Sequence, residues 1–199
     1  MNGYSDRTNH ALAFAAKHHD QQVRKGTRLP YVTHAANVAI ILTRYGQDET
    51  TVVSGILHDV VEDCIRAGWT RTMLESRIAE KFGPDVLTTV IAVTKRKLDD
   101  DGNEMDRDER TADYIARLGL ADSRAHWVCA ADKLHNGNAT LADLRRTMDT
   151  NSVWSRFSGG RAGTVAMYRA VHDKLSALEF AAPIMTELGD MVAQLELAD

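Results

Sequence analysis

The segment His58-Asp59-Val60-Val61-Glu62-Asp63 holds four ionisable side chains within six residues. Residues four apart lie above one another on an α-helix, so His58 stacks on Glu62 and Asp59 on Asp63. An adjacent imidazole and carboxylate suit a divalent cation, whereas neighbouring carboxylates repel one another unless a cation or a proton offsets their charge. The same pattern is also typical of a solvated acidic face on an amphipathic helix. The segment alone leaves both interpretations open.

A distant carboxylate, Asp132, lies at the border of a predicted apolar helix stripe that includes Val128 and Leu134. A partly buried carboxylate without a partner costs several kcal/mol or takes up a proton. The neighbouring Lys133 is predicted to point elsewhere on the helix and to be a poor partner. A metal ion, or an arginine from another helix, is therefore the expected partner of Asp132.

Two further histidines lie in predicted helices. His34 begins a predicted helix, a position more typical of a capping or surface histidine than of a ligand. His135 lies within an apolar stripe and is predicted to be a hydrogen-bonded core histidine.

Helical periodicity recurs along the chain and strand-like alternation is nearly absent, which predicts an all-α fold with a single compact helical domain over residues 1–199. The segment Lys95–Arg110 is rich in acidic residues and is predicted to be a solvated loop, and a turn is predicted at Gly137. The predicted helices are Asp6–His19, His34–Tyr45 ending at Gly46, one capped by Asp48 and running through Val61, one from Thr70 or Thr72 to Phe82, Pro84–Val93, Thr111–Leu118, Ser123–His135, a short segment Val153–Phe157, Thr164–Phe180, and one after Pro183.

The composition narrows the function classes. The 199 residues include 24 basic and 28 acidic ones, a net charge of −4, which argues against a nucleic acid partner. Two cysteines, Cys64 and Cys129, form no disulfide framework. No apolar run approaches the roughly 18 residues of a membrane span, and the first residues lack the features of a signal peptide. We therefore expect a cytoplasmic protein with no membrane partner.

An ordered set of motifs resembles the HD-domain metal-dependent phosphohydrolases, in which one histidine, a His-Asp pair and a distant Asp bind one cation. The closer resemblance is to the hydrolase domain of the RelA/SpoT alarmone enzymes, and among these to the stand-alone small alarmone hydrolases that include the metazoan SpoT homologue. It covers roughly residues 11–178. The motifs are Arg24-Lys25-Gly26, Pro30-Tyr31-Val32-Thr33-His34, Leu57 to Asp63, Phe82-Gly83, Val93-Thr94-Lys95 and Ala131 to Asn136.

The resemblance implies a metal site and a catalytic pair. It implies that His34, His58, Asp59 and Asp132 hold one cation, usually manganese. Such mixed imidazole and carboxylate ligation fits Mn²⁺, although affinity alone would favour zinc or copper. Glu62 and Asp63 match the family's catalytic acidic pair.

The resemblance also implies residues that bind substrate. Arg24 and Lys25 are placed to meet phosphates, Asn136 lies close to the nucleoside, and Tyr168 matches an aromatic residue near the nucleotide. The chain departs from the pattern at Thr164, where an arginine is frequent. Arg161 is the nearest replacement in the sequence.

The function implied by the resemblance is manganese-dependent hydrolysis of the 3′-pyrophosphate of guanosine tetra- or pentaphosphate, which gives GDP or GTP and pyrophosphate. The partner is then a small nucleotide. Two alternatives stay open. The same site could act on an adenosine alarmone or on the 2′-phosphate of NADPH, or the chain could be a nucleotide-sensing module without turnover.

Overall fold

A computed structural model describes residues 3–198 of the chain. Over that range it consists of helices and loops with no strand, so the predicted all-α class is confirmed. None of the helices in this range combines the length and apolarity that a bilayer crossing requires. The helices are α1 (Asp6–His18), α2 (Val32–Arg44), α3 (Glu49–Leu57), α4 (Val60–Asp63), α5 (Arg71–Phe82), α6 (Pro84–Val93), α7 (Arg107–Leu118), α8 (Ser123–Leu144), α9 (Asn151–Trp154), α10 (Gly160–Ala177) and α11 (Ile184–Leu197).

Several predicted helix ends are confirmed by their capping contacts. The Asp48 carboxylate accepts a hydrogen bond from the Thr51 backbone N–H at 2.7 Å and begins α3. Thr70 caps α5, and Pro84 lies in the first turn of α6, where its missing N–H costs no helical hydrogen bond. Gly46 follows α2 with φ +70°, the left-handed conformation that ends many helices.

The centre of the fold is α3, in which residues 51–57 are all buried. A helix that is buried on every side is stable only when other elements surround it. Helices α1, α2, α6 and α8 pack against α3, and the long α8 also packs against α2 and α11. Helices α2, α3 and α8 therefore meet one another. His34 lies in α2, His58 directly follows α3, and Asp132 lies in α8.

The prediction that one helix continues from Asp48 through Val61 is wrong at His58 and Asp59, which separate α3 from α4. The His58 ring explains the interruption, since its Nδ1 lies 2.8 Å from the Gly55 carbonyl oxygen. In a continuous helix that carbonyl would accept the Asp59 backbone N–H, so the side chain competes with the helix. The interruption places the buried His58 and the half-buried Asp59 between α3 and α4.

The prediction of a turn at Gly137 is wrong, because α8 continues to Leu144. Gly137 is buried, and a Cβ at this position would overlap the Met191 sulfur of α11. The glycine therefore allows two helices to approach closely and does not end one. Packing across the core outweighs its low helix propensity.

The predicted loop Lys95–Arg110 is mostly exposed, as expected, but it is shorter than predicted. α7 begins at Arg107, where Asp106 and Glu109 form a capping box, and Met105 is buried. The last acidic residues are exposed but cap and begin a helix, so an acidic run alone does not show where a loop ends. Helix α10 begins at Gly160, one turn before the predicted start at Thr164. The prediction missed this first turn because it contains glycines and shows no apolar periodicity.

Candidate active site

Four side chains from three parts of the chain converge at one point. His34 lies in the first turn of α2, His58 and Asp59 lie between α3 and α4, and Asp132 lies in α8. The possible ligand atoms of His34, His58 and Asp59 all lie within 4.8 Å of one another. The Asp132 Oδ1 atom lies 3.2 Å from His34 Nε2 and 3.6 Å from His58 Nε2. The structure thus brings together the four residues predicted to hold a cation.

The opposite nitrogens of the two rings have partners of their own. His58 Nδ1 lies 2.8 Å from the Gly55 carbonyl oxygen. Since a carbonyl oxygen can only accept a hydrogen bond, Nδ1 carries the ring proton and donates it to this bond. His34 Nδ1 lies 2.8 Å from His135 Nδ1. Burial and the neighbouring His34 lower the pKa of His135 to about 4. A neutral His135 can therefore accept a hydrogen bond from the His34 Nδ1–H group. Both rings are then held with Nε2 free to act as a ligand.

The surroundings of the two Nε2 atoms fit a cation. The two Nε2 atoms lie 3.2 Å from each other. The Asp59 Oδ2 atom lies 3.3 Å from His34 Nε2 and 3.1 Å from His58 Nε2. All these atoms are acceptors, so a proton or a metal ion must neutralise them. Burial lowers the pKa of His58, but the Asp59 and Asp132 carboxylates raise it well above its usual range. A proton therefore competes with a metal for this position.

Polar groups around the cluster fix its two carboxylates. The Tyr31 hydroxyl donates to Asp59 Oδ2 at 2.6 Å, and the Asn136 amide donates to Asp132 Oδ1 at 2.5 Å. The Lys133 ammonium forms an ion pair with Asp132 Oδ2. The prediction that Lys133 is a poor partner for Asp132 is therefore wrong, because a long side chain can fold back to the preceding residue. This charge, together with the two histidines, keeps the pKa of the buried Asp132 well below its usual range despite its burial.

The predicted acidic pair lies beside the cluster in the wall of a cavity. Glu62 Oε2 accepts a hydrogen bond from the Lys95 backbone N–H at 2.7 Å. Burial and the Asp59 charge raise the pKa of Glu62 to about 7. Partial burial and the same Asp59 charge also raise the pKa of Asp63. With a pKa near 7 beside a cation site, Glu62 is suited to accept and release protons near neutral pH.

The cavity has a volume of about 740 Å³, and all four residues predicted to bind substrate line it: Arg24, Lys25, Asn136 and Tyr168. Arg24 Nη2 donates to Asn136 Oδ1 at 2.5 Å, so this residue pair is held beside Asp132. The wall also includes five acidic side chains and twice as many basic ones. The basic residues are Arg24, Lys25, Lys95, Arg96, Lys97, Arg107, Arg110, Lys133, Arg146 and Arg156.

The suggestion that Arg161 replaces the missing arginine near Thr164 is wrong. The Arg161 guanidinium donates to the backbone carbonyls of Glu196 and Ala198, at the end of α11. Arg107 of α7 occupies the space instead, since a Cβ at Gly163 would overlap its guanidinium. An arginine therefore reaches this part of the cavity from a different helix.

Sequence reasoning missed four residues around the site: Tyr31, Lys95, Lys133 and His135 as a partner of His34. Tyr31 and Lys95 belong to the motifs Pro30 to His34 and Val93 to Lys95. Their membership in these motifs could have indicated that they lie near the site. His135 is hydrogen-bonded as predicted, but it is half-buried in the cavity wall and not in the core. Its partner His34 is 101 residues away in sequence, which no local pattern could indicate.

Comparison with known proteins finds a family model described as HD domain that matches residues 11–165. The guanosine-3′,5′-bis(diphosphate) 3′-pyrophosphohydrolase MESH1 of Drosophila melanogaster is 34% identical over 148 residues, which cover 73% of this chain and 72% of that protein. A GTP pyrophosphokinase of Myxococcus xanthus is 33% identical over 63% of this chain, but the chain spans only 16% of that protein.

A solved structure shares the whole architecture. It is described as a metazoan ortholog of SpoT that hydrolyzes ppGpp, and it is similar to this chain with a TM-score of 0.73 and 28% sequence identity. The alignment covers 96% of each chain. The similarity therefore extends beyond the matched motifs to the arrangement of the helices.

Proposed function

Because this chain belongs to the HD-domain family, we propose that it hydrolyses guanosine 3′,5′-bis(diphosphate) and its pentaphosphate counterpart at the 3′-pyrophosphate, releasing pyrophosphate and GDP or GTP. The observation that carries this proposal is the convergence of His34, His58, Asp59 and Asp132 beside a basic cavity. The similar proteins from Drosophila and from the metazoan structure are named for this reaction.

A divalent cation fits the four converging side chains, and we propose Mn²⁺ as that cation. Carboxylates and imidazoles are both ligands of manganese. When bound, such an ion lowers the pKa of a bound water and neutralises charge on a phosphoryl group. His135 and Tyr31 hold His34 and Asp59 in the orientation that this ligation requires.

Glu62 and Asp63 act on the attacking water. They lie in the cavity wall next to the ligands, and the Lys95 backbone N–H fixes one oxygen of Glu62. The other oxygen of Glu62 is available to orient a water molecule and take its proton. The water oxygen bonds to the phosphorus attached to the 3′-oxygen, the bond between that phosphorus and the 3′-oxygen breaks, and the 3′-oxygen takes up a proton to become a hydroxyl.

The rest of the cavity suits a nucleotide with phosphates at two ends. Basic side chains outnumber acidic ones two to one in its wall, although the whole chain carries a net charge of −4. Arg24 and Lys25 provide a bidentate guanidinium and an ammonium for the 3′-pyrophosphate. Asn136 provides an amide, and the buried ring of Tyr168 provides an apolar contact for the nucleoside. The predictions of a cytoplasmic location and of a single domain stay predictions.

The proposal is tested with purified protein, Mn²⁺ and a panel of the two guanosine alarmones, an adenosine alarmone and NADPH. We expect the guanosine alarmones to be cleaved fastest, with pyrophosphate identified as the product by ³¹P NMR. The Asp59→Ala variant serves as the control and should be inactive on every compound. Faster release of orthophosphate from NADPH would overturn the proposed substrate, and tight binding of every nucleotide without product would overturn the assignment as an enzyme.

A further inference from the structure

Lys95 carries an ammonium group in the cavity wall that is near the Glu62 and Asp132 carboxylates but in direct contact with neither. It follows α6, is half-buried, and forms no ion pair with any residue in 3–198. The Lys95 backbone N–H donates to Glu62 Oε2, and the Lys95 side chain takes no part in this hydrogen bond. A half-buried cation loses hydration, so a site of this kind is stabilised when an anion arrives.

The neighbouring Lys133 differs from Lys95 in having an ion-pair partner. Lys133 Nζ is paired with Asp132 Oδ2, so its charge is already offset within the protein. Both ammonium groups lie over the ring of Tyr114, with Nζ at 5.3 Å from the ring centroid for Lys133 and 5.6 Å for Lys95. Burial and the Lys133 charge lower the pKa of Lys95 by more than the nearby Glu62 and Asp132 carboxylates raise it.

Tyr114 holds the two ammonium groups in place. Its side chain is fully buried, and its hydroxyl donates to the Cys129 sulfur at 3.0 Å. A ring fixed in this way gives each cation a favourable contact on its π-face without neutralising it. Lys95 is therefore held in place without an ion pair, in the same wall as Glu62 and the proposed ligands Asp59 and Asp132.

We propose that Lys95 is a further catalytic residue, which contacts the non-bridging oxygens of the phosphoryl group that is cleaved. The inference rests on the proposed function, because it requires a phosphorylated substrate at the metal site. Its chemical partner is the phosphoryl group itself, and not the base or the ribose.

The contribution of Lys95 is electrostatic. As the water oxygen bonds to phosphorus and the bond to the 3′-oxygen breaks, negative charge builds on the non-bridging oxygens. The water proton passes to Glu62 and the 3′-oxygen takes up a proton from solvent, while Lys95 keeps its own. A fixed cation near the developing charge favours the transition state over the bound substrate, so its loss lowers kcat more than it raises KM.

The first test compares the Lys95→Met variant with wild type and with Lys81→Met, a matched loss of charge at an exposed position of α5. We expect kcat of Lys95→Met to fall about a hundredfold, as for loss of one preorganised donor, with bound Mn²⁺ per chain unchanged. The Lys81→Met variant should match wild type. Unchanged kcat in Lys95→Met would overturn the inference.

A second variant separates the charge from any effect on folding. Lys95→Cys places a thiol in the cavity wall, and 2-bromoethylamine alkylates it with loss of bromide, which restores an ammonium at nearly the original length. The native thiols are protected, since Cys64 and Cys129 are buried and burial raises the pKa of both. We expect alkylation to restore most of the lost kcat in the variant and to leave wild type unchanged.

The outcomes distinguish this inference from the proposed function. Wild type that fails to cleave the guanosine alarmones contradicts the proposed function itself. Active wild type together with an alkylated Lys95→Cys variant that binds Mn²⁺ but stays inactive contradicts only the role of Lys95.

Discussion

Glu62, the residue proposed to act on the attacking water, lowers the stability of the folded protein when it is ionised. Burial and the Asp59 charge raise its pKa from 4.5 to about 7, so the folded state favours the protonated form. The folded protein keeps its full stability below the unfolded pKa, where Glu62 is protonated in both states, and it loses stability as the pH rises through about 7 and Glu62 ionises. In the metal-free protein at about pH 8, Glu62→Gln should therefore raise the free energy of unfolding by about 2 kcal/mol, with little effect near pH 4. Urea denaturation at the two pH values measures this.

The same variant tests the role of Glu62 in the reaction. An amide cannot take a proton from water, so kcat should fall on the order of a hundredfold or more while Mn²⁺ stays bound. Steady-state kinetics and metal analysis of one preparation measure both quantities. Wild-type kcat in Glu62→Gln would remove Glu62 from the mechanism.

Tyr31 supports the metal site from outside it. Its hydroxyl donates to Asp59 Oδ2 at 2.6 Å, and Tyr31→Phe removes this bond while keeping the ring. We expect the affinity for Mn²⁺ to fall about tenfold to a hundredfold, the usual effect of removing a group that orients a ligand. Calorimetric titration measures it. Tyr45→Phe is the control, because that hydroxyl bonds Glu187 on the surface, and equal affinities in the two variants would contradict the role of Tyr31.

At the scale of elements, the site depends on the close approach of α2 and α3. A Cβ at Gly55 would overlap Leu42 Cδ1 and would lie 3.1 Å from Val38 Cγ1. Gly55→Ala should therefore lower the free energy of unfolding by about 1–3 kcal/mol, despite the better helix propensity of alanine, and should weaken Mn²⁺ binding by moving His34 away from His58. Denaturation and metal titration measure the two effects.

A double mutant isolates the contact. Leu42→Val shortens the side chain that the new methyl group meets, so Gly55→Ala with Leu42→Val should be less destabilised than the sum of the two single variants. Strict additivity, or a stabilised Gly55→Ala variant, would contradict this account of the helix contact.

The helices show what the sequence could and could not predict. The starts of α3 and α5 are set by local capping groups, Asp48 and Thr70, so they could be predicted. The continuation of α8 past Gly137 could not, because it depends on Met191 in another helix. The interruption at His58 is also beyond a periodicity argument, since it arises from a side-chain contact with the Gly55 carbonyl.

At the scale of the whole molecule, the same distinction applies to the site. Motif resemblance predicted which residues to consider, and the structure brings all ten predicted site residues to one cavity or its edge. The contacts that orient them join distant parts of the chain, such as His34 with His135 and Arg24 with Asn136. The net charge of −4 likewise gives no sign of a basic cavity, because the basic residues come together only on folding.

The most direct test is the binding of Mn²⁺ to the purified chain, measured by calorimetric titration at a pH above 7, where protons compete least. The account predicts one site per chain in wild type. It predicts that Asp59→Ala and Asp132→Ala each weaken binding by more than the roughly hundredfold loss that follows removal of a merely supporting residue. Wild-type affinity in Asp132→Ala, or no site at all in wild type, would contradict it.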